Sequence, residues 1–275
     1  MLTLSACVLV ACAATSHTAR LADAKVHYES YGEGDEALVF VHGWTCNGRF
    51  WRLQLKSFAE RRVLVVDLPG HGDSDKPEQR YSMELFARGV DAVMTDAGVS
   101  KAVLVGHSMG APVIRQFYRL FPERVLALVI VDGALRPFGD KASSDRMITS
   151  LKTGDFGKNL SGMLDSMLAP MKDAKLKDEV RKDMLSTPRH VALSAFENLL
   201  DPANFDADPI DVPLLAVLAR SGSWPPDTET FLKSLAPGLE LHMLDGVSHF
   251  LMLDAPNEFN AMLKAFLDHN DLLAD

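Results

Sequence analysis

Hydrophobic positions along this chain switch between two periods, and the switches lay out its elements. Lys25-Val26-His27-Tyr28-Glu29-Ser30-Tyr31-Gly32 alternates, which predicts a half-exposed strand that turns at Gly32-Glu33-Gly34. Unbroken apolar runs at residues 37–41, 63–66, 102–105 and 125–131 predict strands covered on both faces. Residues 214–218 and 239–244 predict two further strands, the second of them the last. Between them the period lengthens. Residues 50–61 place Trp51, Leu53, Leu55 and Phe58 on the inner stripe of a predicted helix. Residues 82–97 do the same with Leu85, Phe86, Val90, Val93 and Met94. Helices are also predicted at 111–120, at 227–235 with Asp227 as N-cap, and at 256–267.

Strands alternating with helices predict an α/β fold: a mainly parallel central sheet with helices on both faces. Function in such sheets gathers at the carboxyl ends of the strands. His42, Asp67, Ser108 and Asp132 all fall there.

Two stretches break the rhythm. Residues 138–209 carry helical spacing and no strand run, which predicts a helical cap inserted into a core made of 24–137 and 210–275. Met147, Met163, Met167, Met171 and Met184 in this insertion read mostly as its own core, since apolar residues at helical spacing pack inward. A pocket lined by such adaptable side chains would suit apolar groups of varied shape.

Residues 1–14 are small and apolar, as in the hydrophobic part of a secretory signal, although a basic n-region is missing. Leu9-Val10-Ala11-Cys12 resembles a bacterial lipobox, which would make Cys12 a lipidation site and attach the exported protein to a membrane. Leu4-Ser5-Ala6-Cys7 resembles one too. Residues 16–23 then read as a polar tether, so 1–23 is set apart from the fold as leader and tether.

Composition narrows the chemistry. A chain of 275 residues, 47% hydrophobic and 24% charged, has the balance of a globular protein with a large core. A formal net charge of −9 with no basic stripe argues against a nucleic-acid partner. Three cysteines without a Cys-x-x-Cys support neither a zinc site nor a redox pair. No phosphate-cradling loop, metal spacing or nucleotide fingerprint is present, so no cofactor and no metal are expected.

What remains is a nucleophile. Gly106-His107-Ser108-Met109-Gly110 joins an apolar run to a helical one, so Ser108 stands on a sharp strand-to-helix turn that needs small neighbours. Three further motifs follow a fixed order around it: His42-Gly43-Trp44, Asp67-Leu68-Pro69-Gly70-His71-Gly72-Asp73-Ser74, and Gly246-Val247-Ser248-His249-Phe250. Together they resemble the α/β-hydrolase superfamily over residues 25–267, with capped serine esterases as the nearest branch. Haloalkane dehalogenases and epoxide hydrolases share that fold but use an aspartate nucleophile, against which Ser108 speaks.

The resemblance implies a serine hydrolase acting on small carboxylic esters through an acyl-enzyme. His249 would be the base, and the backbone N–H groups of Trp44 and Met109 the oxyanion donors. The acid departs from the commoner pattern. Its usual loop here is Ala219-Arg220-Ser221-Gly222-Ser223-Trp224, with Ser221 in the acid's place. Asp132, at the end of the preceding strand, matches an alternative position used by some relatives. Asp227 comes later and opens a helix, where capping explains it. Asp132 is favoured, and Asp227 stays open. Rival activities on the same residues are lactonase, carbon–carbon bond hydrolase, cofactor-free perhydrolase and aminopeptidase. A binding protein on a hydrolase scaffold is the rival of another class. Burst kinetics separate it from the enzymes.

Overall fold

A computed structural model describes residues 14–137, 139–221 and 224–273. The expectations placed on residues 1–13, with Cys7 and Cys12, lie outside the described residues. Among those described, no helix is long and apolar enough to cross a membrane.

Eight strands form one sheet: β1 (Thr15–Leu21), β2 (Ala24–Tyr31), β3 (Glu36–Val41), β4 (Val63–Val66), β5 (Lys101–His107), β6 (Val125–Val131), β7 (Leu214–Ala219) and β8 (Leu239–Leu244). Their spatial order is β1-β2-β4-β3-β5-β6-β7-β8. β1 and β2 run antiparallel at one edge, and every pairing from β4 to β8 is parallel. Helices α1 (Met83–Asp96) and α2 (Gly110–Leu120) follow β4 and β5. Between β6 and β7 come α3 (Lys141–Thr153), α4 (Phe156–Leu168), α5 (Ala174–Leu185) and α6 (Arg189–Leu199). The chain closes with α7 (Thr228–Leu235), the short α8 (Leu251–Asp254) and α9 (Pro256–His269).

The order in which strands are added reverses at β3, which has β4 on one side and β5 on the other. Parallel register then fixes what meets at this switch point. Val41 lies beside Gly106, His107 beside Val131, and Val131 beside Val217. The loops that leave β3, β5 and β6 therefore emerge side by side. Ser108 N–H donates to Val131 O at 3.0 Å, and Asp132 N–H to Val217 O at 2.9 Å, carrying the pairing one residue past the strands.

The turn after β5 is tight enough to demand glycine. A Cβ at Gly106 would stand 2.4 Å from the carbonyl oxygen of Gly110, and one at Gly110 would stand 2.5 Å from that of Val41. Backbone atoms cannot yield there as a flexible side chain could. Ser108 itself has φ +52° and Asp132 φ +43°, both in the left-handed region that disfavours L side chains.

The four helices between β6 and β7 form the cap. Asp140, Asp155 and Asp173 open α3, α4 and α5, each accepting from a backbone N–H of the first turn. Such a cap contributes about 1 kcal/mol, which matters for helices this short. Leu160, Leu164 and Leu168 form the buried stripe of α4. Polar bonds tie the cap to the core loops: the Trp44 indole N–H donates to Ala192 O at 2.8 Å, and the Thr187 hydroxyl to Thr45 O at 3.1 Å.

Two expectations need correction. Residues 16–21, read as part of a polar tether, belong to strand β1, which is joined to β2 by the turn at Ala22 (φ +51°) and Asp23. Only Ala19 is buried in it, so an edge strand with polar side chains carries no hydrophobic alternation to read. Residues 50–61 do not form one α-helix. They form two single-turn 3₁₀ helices, Gly48–Trp51 and Leu55–Phe58. Asn47 caps the first, and the link closes through i→i−3 bonds, Gln54 N to Trp51 O at 3.1 Å and Ser57 N to Gln54 O at 2.9 Å. The tighter winding turns Gln54 inward, where its amide donates to Met252 O at 2.8 Å, and leaves Leu53 at 40% exposure.

Candidate active site

Three side chains from distant parts of the chain meet above the carboxyl ends of the sheet. The Ser108 hydroxyl lies 2.8 Å from His249 Nε2, and His249 Nδ1 lies 2.6 Å from Asp132 Oδ2. A carboxylate only accepts, so the proton of the neutral ring belongs on Nδ1, and Nε2 is left to accept from the serine. Asp132 is buried at 8% exposure, and its second oxygen accepts from Ala219 N–H at 2.7 Å. Asp227 is elsewhere. Contrary to its expected role, it makes no capping bond on α7. Its carboxylate pairs with the Arg136 guanidinium through contacts of 2.7 and 3.1 Å.

The His249 main chain is gripped from two sides. His107 Nε2–H donates to His249 O at 2.9 Å, and His249 N–H donates to Met167 O, on α4, at 3.3 Å. His107 is fully buried, and its Nδ1 has no hydrogen-bond partner. An orphaned nitrogen costs about 1–3 kcal/mol, so a neutral ring holding its proton on Nε2 is the form that fits. Sequence reasoning missed both contacts, because a backbone carbonyl and a histidine inside a glycine-serine motif carry no separate signal.

The loop after β3 presses directly on the serine. A Cβ at Gly43 would stand 2.9 Å from both His107 Nδ1 and Ser108 Cβ. His42 fixes this loop: its Nδ1–H donates to Gly43 O at 2.8 Å and its Nε2 accepts from Leu68 N–H at 3.0 Å. Trp44, next in line, is buried at 3% exposure. Met109 stands at the start of α2, where the first N–H groups have no acceptor inside the helix. Cys46 is buried nearby, and burial pushes its thiol well above its ordinary pKa, so it is not a thiolate.

Ser108 and His249 open into a cavity of about 170 Å³ beneath the cap. Met147, Met163, Met167 and Met184 line it together with Trp44 and Phe196. Their helical spacing alone places the methionines mostly in the cap's own core. The structure instead puts these four on the cavity wall, because the helices that carry them roof the serine. Lining the cavity does not take them all out of the core: Met184 is buried in it at 2% exposure, as Met171 is at 4%, and Met163 and Met167 pack against it.

One cluster resembles a metal site without fitting one. His27, Asp67 and Asp73 bring ligand-type atoms within 4.8 Å of one another. Asp67 Oδ1 accepts from Gly48 N–H, and Oδ2 from His27 Nδ1–H and Asp73 N–H. Burial opposes its charge, yet these bonds hold its carboxyl below the usual range. Asp67 is spent on bracing its own loop.

Burial pushes the imidazoles of His42, His71 and His107 below the ordinary histidine value, His71 to about 3. The unfolded chain therefore binds more protons than the native one between about pH 6.5 and each lowered value. The stability these groups contribute is complete above pH 6.5 and is lost as the pH falls. His27, raised chiefly by its hydrogen bond to Asp67, acts in the opposite sense. His27 does so only above pH 6.5, so below that pH the three lowered histidines act unopposed and make the fold acid-sensitive, each by at most about 1 kcal/mol per pH unit down to its own lowered value. Urea midpoints followed by tryptophan fluorescence should fall steadily from pH 7 to pH 4.5. A flat profile would contradict this account.

Comparison with known proteins agrees with the fold. A model of the alpha/beta hydrolase family matches residues 38–262. The chain is 28% identical over 261 residues to a 2-hydroxy-6-oxononadienedioate/2-hydroxy-6-oxononatrienedioate hydrolase of Burkholderia vietnamiensis, covering 88% of this chain and 91% of that one. It is 28% identical over 247 residues to the dihydrolipoyllysine-residue acetyltransferase component of the acetoin cleaving system of Pseudomonas putida. That match takes in 87% of this chain and spans 65% of that protein's length. Among solved structures, Est816, described as an N-acyl homoserine lactone degrading enzyme, superposes with a TM-score of 0.78 at 27% identity, over 91% of this chain and all of its own. On the match across most of its length, the chain belongs to the alpha/beta hydrolase family.

Proposed function

We propose that this hydrolase cleaves carboxylic esters through an acyl-enzyme, with Ser108 as nucleophile, His249 as base and Asp132 as its orienting acid. The observation that carries the reading is the continuous hydrogen-bonded chain Ser108–His249–Asp132. In the first half-reaction Ser108 Oγ bonds to the ester carbonyl carbon while its proton passes to His249 Nε2. The oxyanion is met by the backbone N–H groups of Met109 and Trp44. Collapse breaks the carbon–oxygen bond, and the imidazolium returns the proton to the departing alkoxide. Water repeats the sequence on the acyl-serine and releases the acid.

The methionine-lined cavity supports an apolar acyl part. At about 170 Å³ it is smaller than the roughly 300–1,000 Å³ of drug-sized sites, which favours short chains. A lactone is a cyclic ester and needs the same steps, and the likeness to Est816 favours it as the second reading. The thioethers weigh against perhydrolysis, since a peracid released among four methionines would oxidise them.

The test is a p-nitrophenyl ester series of increasing acyl length, with fluorophosphonate labelling mapped by mass spectrometry. A burst of one nitrophenolate per chain, label on Ser108 and a preference for short acyl groups are expected. No burst and no label would favour a binding protein on this scaffold.

A further inference from the structure

A second cavity, about 160 Å³, also has His249 in its wall. Asp132, Arg136, Leu218, Trp224, Phe231 and His249 are among its walls. His249 is the one described residue that lines both this cavity and the methionine-lined one. An ester held at Ser108 has two halves, and the apolar cavity next to the serine takes only one. The other half departs with a proton from His249, the residue that this second space shares with the first.

Its chemistry differs from the first cavity's. Arg136 follows Asp132 by four residues, so their Cα atoms are at most about 14 Å apart. Its guanidinium lies 5.1 Å from the centre of the Phe231 ring, and its side chain is 23% exposed. It is a cation held on an aromatic face in a protein of net charge −9. Its fork is occupied by Asp227 through both terminal nitrogens. The two partners are held very differently. Asp227 is 66% exposed and makes no capping bond, so it can swing into water at little cost.

Resting on the ester-hydrolase reading, we infer that Arg136 is a binding site for a carboxylate on the alcohol half of the substrate, with Asp227 as the displaceable group that fills it beforehand. One bidentate carboxylate replaces another on the guanidinium, so the exchange itself is close to neutral. Selectivity comes from the apolar walls around Trp224 and Phe231, which a benzoate-like ring fills and the Asp227 side chain does not.

The alternative is that the Arg136–Asp227 pair only braces the loop after β6 against α7. The two ideas predict different signs. Wild type, Arg136→Gln and Asp227→Asn are compared on phenyl butyrate and 4-carboxyphenyl butyrate, and the readout is the ratio of kcat/KM, carboxylated over neutral. The ratio should fall about tenfold in Arg136→Gln, where a charge-assisted pair is lost, and rise about threefold in Asp227→Asn, where the competitor is removed. A fall in both variants, or no change in either, overturns the inference.

Calorimetric titration with 4-hydroxybenzoate, with 4-hydroxybenzamide as the neutral control, gives a second reading that needs no turnover. Binding should weaken in Arg136→Gln and tighten in Asp227→Asn. If the esters are not hydrolysed at all, the catalytic reading fails, and the titration alone decides for or against Arg136.

Discussion

Replacing Ser108 with alanine is expected to lower kcat for ester hydrolysis roughly a millionfold, the scale seen when a triad serine is removed elsewhere. Without the hydroxyl no acyl-enzyme forms, and His249 has nothing to deprotonate. A residual acceleration of about a thousandfold over water remains from oxyanion donors and substrate binding. The left-handed backbone at residue 108, φ +52°, is no easier for alanine than for serine, so the melting temperature should stay within a few degrees. Loss of fluorophosphonate labelling in the folded variant completes the result. A variant that keeps more than a hundredth of wild-type kcat would remove Ser108 from the mechanism.

Asp132→Asn is expected to cost about four orders of magnitude in kcat, by a different route. One carboxylate oxygen accepts from Ala219 N–H, and the other from His249 Nδ1–H. Asparagine keeps one acceptor. The Ala219 bond claims it, which turns the amide NH₂ toward His249. Facing a donor, the ring moves its proton to Nε2 and can no longer accept from Ser108. The fold should survive, since the backbone bond is retained and the exchange is isosteric. Asp227→Asn leaves the Ser108–His249 chain intact, so its effect on kcat for a neutral ester should be at least a hundredfold smaller. If Asp227→Asn proves the more damaging exchange, the acid has been misassigned. Rapid-quench kinetics on both variants, with circular dichroism for folding, makes the comparison.

The central sheet was readable because its strands are buried on both faces. Runs such as residues 125–131 have no other home than a covered sheet. The serine turn was readable for a related reason: Gly106 and Gly110 sit where any Cβ would strike backbone. The meeting of Ser108, His249 and Asp132 followed once their strand ends were placed in order. What stayed hidden had no local pattern. β1 shows polar side chains at an edge, and Gln54 is buried by winding rather than by hydrophobicity. Asp227 looked like a cap, since helix starts favour aspartate, but an arginine from another loop outcompeted the helix for it. The methionines carry the spacing of a packed helix whether the space beneath them is filled or open.

The bond from His249 N–H to the Met167 carbonyl has a cost for access. α4 cannot lift away from the serine without giving up this bond, after which His249 is held by His107 at its carbonyl and by Asp132 at its ring. A bulky guest that needs the roof raised is therefore expected to meet a looser histidine than a small one does. Small guests, which slip beneath it, meet the full set of contacts on His249.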